Sequence, residues 1–431
     1  MVSRERGGLD GQRGGLPIGA QRGEQRRRVA LVTQGYENGG GVPTVAQWLK
    51  EGLEYSGKYD VDIHDLATSR SDSASRRIAA PGTWAQRSLR GSYDANSNVQ
   101  HWGANAVEIE IARYRPRVEL TGVLAGYDII QVVAGTSALG AAALLAKRPI
   151  VLQIATRAAW ERESQLAAGR VTARLWRRFM ASRTAAVELE GLRGACAVLV
   201  ENRDMLDYVQ STGQTQVILA PPGVDTNRFK PHPDGWQKHG YLLSVCRLND
   251  ARKGLDRLIC GYRSALEDYD DPTPNLILAG RGQLPSRLIA LIDDLDLTSR
   301  ITVLSDVRAV ELPQLYQGAS AYLQASHEEG LGISVLEAMA TGLPVVATDT
   351  AGSRETVVNG ETGWVVPQIP THLVAAAIAN CIAATLGTTG ASMGALARQR
   401  CTAMYSVEAT LTHFIEEYDK LLGATPRCQS W

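Results

Sequence analysis

Two carboxylates eight positions apart, Glu329 and Glu337, flank a glycine-containing turn in the run Ser326-His327-Glu328-Glu329-Gly330-Leu331-Gly332-Ile333. The apolar positions Leu331, Ile333, Val335, Leu336 and Met339 suit a buried helix, and residues 344–347 a buried strand after it. Gly330 and Gly332 carry no Cβ, so the backbone there can approach a ligand closely. The N–H groups of Gly332, Ile333 and Ser334 would then point out of the helix start, where an anion is favoured. Eight helical residues span about 12 Å. That is the reach of a sugar, a diphosphate and part of a ribose laid end to end. One carboxylate would grip sugar hydroxyls and the other ribose hydroxyls, with the phosphates over the helix start between them.

A second pair of candidates is Arg247 and Lys253, in the run Cys-Arg-Leu-Asn-Asp-Ala-Arg-Lys-Gly at 246–254. Arg247 closes an apolar strand and Lys253 opens the next helix, and in open α/β sheets ligands bind at the carboxyl ends of strands. A guanidinium fork and an ammonium point charge there suit a diphosphate. Arg252 competes for the role of Lys253, and two solvated surface cations are the plain alternative. Third comes Gly39-Gly40-Gly41-Val42-Pro43 between the first strand and its helix. It is not the G-x-G-x-x-G of a dinucleotide fold. It reads as a loop with Gly40 and Gly41 facing a cleft, or as a turn, with Pro43 in the first helical turn.

The elements that must position these residues repeat along the chain. Unbroken Val/Ile/Leu-rich runs fall at 28–34, 60–64, 128–134, 149–154, 197–200 and 216–220, then at 241–246, 275–279, 301–304, 321–324, 344–347 and 363–366. Helical segments lie between most of them. Such runs lack the alternation of half-exposed strands and fit parallel strands covered on both faces. Two doubly wound α/β domains are expected, the break falling at the turn-rich 221–225. The expected organisation is a disordered tail at 1–27, a first domain at 28–221 and a second at 222–406. A last helix within 407–431 packs back on the first domain. Residues 66–106, rich in Ser, Arg, Gly and Asn around Trp84, His101 and Trp102, fit no element and read as an irregular insert. The insert is either functional, walling off a bound acceptor with Trp102, or disordered.

The bulk numbers exclude several classes. A chain of 431 residues exceeds one ordinary core. Lys plus Arg equals Asp plus Glu at 45 each, so no global field draws nucleic acid or an anionic membrane. The six cysteines are scattered, without metal-ligand spacing, and read as reduced thiols. No uninterrupted apolar stretch approaches ~18 residues, so no membrane-spanning helix is expected. The N-terminus has no apolar core of a signal peptide, and a cytoplasmic location is expected.

Taken together, Glu329-Gly330-Leu331-Gly332, Glu337-Ala338-Met339-Ala340 and Gly342-Leu343-Pro344-Val345-Val346-Ala347 resemble the E-x7-E signature of glycosyltransferase family 4. Gly352, Glu355, Asn359-Gly360, Gly363 and Pro367 resemble that family's trailing pattern, and Pro222-Gly223-Val224-Asp225 with Phe229 its interdomain element. The resemblance covers roughly residues 28–422. It implies a GT-B fold, two Rossmann-like doubly wound parallel-sheet domains facing a cleft. It further implies a retaining, metal-independent hexosyltransferase with no cofactor, using a nucleotide-sugar co-substrate, a UDP-sugar by family frequency. On this reading Arg247, Lys253 and Glu329 carry the chemistry. Gly40, Gly41, Val307, Gly330, Leu331, Gly332, Ile333 and Glu337 bind the donor, Val307 touching the base.

The expected acceptor is a small soluble hydroxyl compound such as a sugar, a cyclitol or a specialised metabolite. The alternatives are a lipid-linked acceptor at a membrane, or a non-catalytic nucleotide-sugar-binding relative. One departure bears on donor identity. Where the family often places a cleft histidine after its fourth strand, this chain has Ala155, with Thr156, Arg157 and Trp160 near it. Either Thr156, Arg157 or Trp160 helps shape the sugar site, or the donor differs from those that need the imidazole; His327, beside the signature, is a further candidate pocket residue.

Two lesser signals complete the reading. Asp60-Val61-Asp62 has the D-x-D form of metal-dependent glycosyltransferases of another fold, but lies in a strand without that fold's context. Residues 170–180, with Arg174, Arg177 and Arg178, form a basic amphipathic helix that suits either a membrane surface or a solvated cover on the sheet.

Overall fold

The computed structural model describes residues 26–36, 40–160, 171–268 and 273–423, and within its helices the side chains of 171–177 and 268 are outside the description. The tail expected at 1–27 therefore falls outside the described residues as far as residue 25, as do Gly39, Arg170 and the side chains of Arg174 and Arg177.

The unbroken apolar runs form two sheets. The first contains β1 (Arg27–Gln34), β2 (Tyr59–Leu66), β3 (Arg90–Asp94), β4 (Val99–Trp102), β5 (Ile129–Ala134), β6 (Ile150–Ile154), β7 (Ala197–Val200) and β8 (Val217–Leu219). Its order is β3-β4-β2-β1-β5-β6-β7-β8, parallel throughout except for β3 against β4. The second contains β9 (Tyr241–Arg247), β10 (Leu276–Arg281), β11 (Ile301–Ser305), β12 (Ala319–Gln324), β13 (Val345–Thr348) and β14 (Gly363–Val366), all parallel in the order β11-β10-β9-β12-β13-β14. Every residue of β5, β7 and β12 is buried. Along β1, Val29 and Leu31 enter one core while Ala30 and Val32 enter another. A strand covered on both faces has no polar side to show, which is why these runs do not alternate.

The helices that matter for the cleft are α1 (Gly41–Tyr55), α2 (Val171–Gly194), α3 (Arg203–Ser211), α4 (Leu255–Asp268), α5 (Ile333–Ala340), α6 (Ala351–Thr356), α7 (Val374–Ala384), α8 (Gly390–Tyr405) and α9 (Val407–Gly423). Helix α2 packs on the 3-10 helix Ser137–Ala146, and Arg178 on it is exposed. The D-x-D acids are structural neighbours of β1: Asp60 pairs with Arg26, and Asp62 accepts from Arg28 and from the Tyr127 hydroxyl.

Two expectations need correction. Residues 66–106 are an ordered extension of the first sheet. β4 joins β2 in parallel and β3 folds back on β4. His101 pins the segment, with Nδ1 at 2.9 Å from Asp65 and Nε2 at 2.7 Å from Asp72. Hydrogen bonds to Asp65 and Asp72 hold the imidazolium and raise its pKa to about 9. The second correction concerns apolar length: the helical run Thr371–Tyr405 is long and apolar enough to cross a membrane. Its composition follows from burial. Val374, Ile378, Ala379 and Ile382 of α7 sit in the second-domain core against α4, and Ala397 and Cys401 of α8 pack with α5.

The chain crosses between the sheets twice, side by side. The Val224 N–H donates to the Tyr405 carbonyl, and Val224 bridges Ser406 in parallel. After that second crossing α9 lies on the first domain. Trp48 meets Phe414 edge-on at 5.4 Å between ring centroids, Tyr59 meets Tyr418 likewise at 5.4 Å, and the Tyr418 hydroxyl donates to Gln131 at 2.7 Å.

Candidate functional site

The carboxyl ends of β1, β5, β6 and β7 face those of β9, β10 and β12 across an interdomain cleft of about 890 Å³. Among its walls are Gly40 and Gly41 on the first domain, and Arg247, Lys253, Val307, Glu329–Ile333 and Glu337 on the second. The size suits a nucleotide-sized ligand.

The helix start is built as its sequence requires. Gly332 precedes α5 with φ 86°, a left-handed conformation that glycine adopts without a Cβ penalty. Leu331 turns inward and is buried against the second-domain core. The Val335 and Leu336 N–H groups both donate to the Gly332 carbonyl. The N–H groups before them have no intrahelical acceptor by helix geometry and open on the cleft. A partial positive charge therefore faces the cavity at Gly332, Ile333 and Ser334.

The charged groups surround that point. Lys253 Nζ donates to Glu329 Oε2 at 2.6 Å, and Ser326 Oγ donates to the same oxygen at 3.1 Å. Burial works against the Lys253 ammonium, but Glu329 outweighs it and raises the lysine pKa. Arg247 at the end of β9 is half exposed and pairs with Asp250 at 2.9 Å. Arg252 binds the same carboxylate at 3.0 Å and also lies near Glu328. Burial disfavours the Asp250 charge, but Arg252 and Arg247 hold its carboxyl below the usual range. Of the two candidate lysine-position cations, Lys253 is therefore the one on Glu329. Glu337, one turn along α5, accepts from the Tyr316 hydroxyl at 2.7 Å. Burial pushes its pKa up to about 7 against the pull of Tyr316 and Arg228.

Val307 lines the cleft, its N–H donating to the Gly280 carbonyl at 3.3 Å. Gly330 sits where the domains touch. A Cβ there would stand 2.9 Å from both the Cβ and the carbonyl oxygen of Ala155. Asn202 Nδ2 bridges this contact, donating to the Gly330 carbonyl at 2.6 Å and to the Ala155 carbonyl at 3.3 Å. Beside it Arg354 pairs with Asp204 at 2.5 Å, and the Arg203 N–H donates to Glu355 at 3.3 Å.

The weaker candidates separate. Thr156 lines the cleft, almost fully buried, and its hydroxyl has no partner among the described residues. His327 lines a smaller chamber of about 410 Å³ on the other side of Gly330, and burial lowers its pKa. Two candidates are corrected. Trp102 is fully buried, donating from Nε1 to His64 at 3.2 Å, because β4 is an inner strand of the sheet. Arg157 stacks its guanidinium 4.1 Å from the Tyr208 ring centre and 5.7 Å from that of Trp160, away from the cleft.

One cleft residue escaped the sequence reading. Glu201, directly after β7, is 6% exposed and lines the cavity. Burial raises its pKa to about 7, the neighbouring Glu329 adds to the rise, and a hydrogen bond from Gln153 opposes it. The signal was its place: an acid at the carboxyl end of a fully apolar strand.

Residues 227–385 match the family model of glycosyl transferases group 1. Among curated proteins the chain is similar to the GDP-mannose-dependent alpha-(1-6)-phosphatidylinositol monomannoside mannosyltransferase of Mycolicibacterium smegmatis. The two are 33% identical over 181 residues, 38% of this chain and 46% of that protein. It is also similar to the D-inositol 3-phosphate glycosyltransferase of Actinosynnema mirum, at 29% over 178 residues, 38% of this chain and 42% of that one. The match thus spans about half the length of these curated relatives. Among solved structures, the sucrose-phosphate synthase of Thermosynechococcus elongatus superposes with a TM-score of 0.68 at 20% identity, covering 93% of this chain and all of that one. Anabaena HepE in complex with UDP and glucose superposes with 0.67 at 18%, covering 92% of this chain and all of that one. The chain therefore has the GT-B fold, two Rossmann-like parallel-sheet domains about a cleft, and its second domain matches the glycosyl transferases of group 1.

Proposed function

We propose that the protein is a retaining glycosyltransferase that moves a sugar from a nucleotide-sugar donor to a hydroxyl of a small acceptor, without a metal ion. The observation that carries this reading is the convergence of Arg247, Lys253, Glu329, Glu337 and the α5 start on one cleft. The donor diphosphate lies over the N–H groups of Gly332, Ile333 and Ser334. Glu329 accepts from the sugar hydroxyls and Glu337 from the ribose. The base stacks beside Val307, and Gly40 and Gly41 close the first-domain side.

The transition state is oxocarbenium-like, and negative charge grows on the departing diphosphate. Arg247 and Lys253 receive that charge from fixed positions, so their attraction strengthens as the bond breaks. In the cleft each cation is held by a carboxylate, Asp250 at 2.9 Å and Glu329 at 2.6 Å. These partners keep the cations in place until phosphate shares them. The departing phosphate oxygen takes the acceptor proton on the same face, which retains configuration and needs no separate base.

A UDP-sugar and GDP-mannose are the two donors to compare, since the similar proteins include a UDP complex and a GDP-mannose-dependent enzyme. A thermal-shift screen against UDP-, GDP-, ADP- and dTDP-sugars tests the reading. One donor should stabilise the protein, and release of its nucleoside diphosphate should require Glu329. Stabilisation by none, or release that survives Glu329→Ala, refutes it.

A lipid-linked acceptor is the second reading, favoured by the phosphatidylinositol substrate in the name of a similar enzyme. Sedimentation with anionic liposomes separates the two, and absence of binding ends the second.

A further inference from the structure

Two carboxyl groups that line the cleft, Glu329 on the second domain and Glu201 on the first, differ in their partners. Lys253 lies 2.6 Å from Glu329. Glu201 faces the same cavity from the first domain, 6% exposed, with Gln153 behind it. Burial and the nearby Glu329 both disfavour a negative charge on it, against the hydrogen bond from Gln153, and Thr156 lines the same cavity. A neutral carboxyl group differs from Glu329 in kind. Glu329, paired with Lys253, accepts hydrogen bonds, whereas the carboxyl form of Glu201 both donates and accepts. Thr156 supplies the independent sign of a ligand. Its hydroxyl is buried at the cleft wall without a partner among the described residues, although such groups are almost always satisfied. Ala155, between these groups and Gly330, contributes no side-chain polar atom.

We propose that Glu201 and Thr156 form a first-domain grip on a hydroxyl of the transferred sugar, opposite Glu329. This rests on the nucleotide-sugar reading of the cleft and adds to it a determinant of which sugar is accepted. Glu329 takes hydrogen bonds from the sugar on one side. Glu201 gives one and Thr156 completes the set on the other. The sugar is then read by both domains, so its binding also holds them together. A nucleoside diphosphate without the sugar touches neither Glu201 nor Thr156.

The test is calorimetric titration of wild type, Glu201→Gln and Glu201→Leu with UDP and UDP-glucose, and with GDP and GDP-mannose. For the pair that wild type binds, Glu201→Leu should weaken the sugar nucleotide about tenfold or more, the loss typical of an unmade hydrogen bond in a dry site. Its affinity for the matching diphosphate should not change. Glu201→Gln keeps a donor and an acceptor and should restore sugar-nucleotide binding to within about threefold. Thr156→Val, read in the same way, stands in if Glu201→Leu does not fold. Equal losses for diphosphate and sugar nucleotide, or no loss for either, overturn the proposal. If wild type binds none of these four, the titrations use the donor pair found in the screen, and failure to bind any sugar nucleotide there overturns the reading beneath the proposal, and the grip with it.

Discussion

Replacing Lys253 by Met separates two things the lysine does. The Lys253 and Glu329 side chains keep only 16% and 17% of their surface, so the pair is mostly dry. Removing one member of a buried pair strands the other charge, at a cost of about 3–5 kcal/mol. Ser326 still donates to Glu329 at 3.1 Å and some water reaches the site, so the expected loss falls to about 2 kcal/mol. The double variant Lys253→Met/Glu329→Gln removes the stranded charge and should return to within about 0.5 kcal/mol of wild type. Activity should behave differently. Single and double variants should both lose turnover, because each leaves Arg247 as the one cation of the pair to meet the departing diphosphate. The assay pairs denaturant melts with steady-state rates on the donor found in the screen. If the single variant melts with wild type, or the double stays as unstable as the single, the buried-pair reasoning is wrong.

Glu337, with its pKa pushed up to about 7, binds a proton in the folded protein that the unfolded chain releases near 4.5. Its burial is therefore tolerated fully below pH 4.5, and stability falls as pH rises toward 7, by on the order of 2 kcal/mol. Glu337→Gln should melt higher than wild type at pH 8 and alike at pH 4.5, as melts across pH would show. Arg247→Ala should lower kcat more than donor affinity, since the charge it meets grows as the bond breaks; equal kcat at saturating donor removes the assignment. Gly330→Ala should force the Ala155 contact apart and open the cleft, seen as a larger radius of gyration by small-angle scattering. An unchanged radius would show that the contact yields locally.

The parallel strands were legible because burial on both faces leaves an unbroken apolar run, as in β5 and β7. The strands of the 66–106 insert were not. β3 is an edge strand with mostly exposed residues, and His101 between two aspartates holds the segment where apolar pattern does not. Glu329, Glu337, Arg247 and Lys253 could be singled out because spacing and strand ends constrain where they point. Trp102 and Arg157 were misplaced for the opposite reason. Sequence gives their chemistry but not their direction, and one turned into the core while the other stacked on Tyr208. Glu201 escaped because a lone acid has no spacing to mark it. The long apolar run at Thr371–Tyr405 shows that composition alone does not tell a core helix from a spanning one.

Helix α9 has a consequence for how the protein is made. Domains emerging from the ribosome generally fold in order, the earlier one first. Here Trp48, Tyr59 and Gln131 wait for Phe414 and Tyr418, the last of these hydrogen-bonded to a residue 287 positions upstream. The earlier half stays unsealed, with aromatic surface uncovered, until the later half has been synthesised. A fragment cut near residue 221 would keep that defect permanently, and a usable fragment would need the 407–423 segment supplied in trans or spliced on.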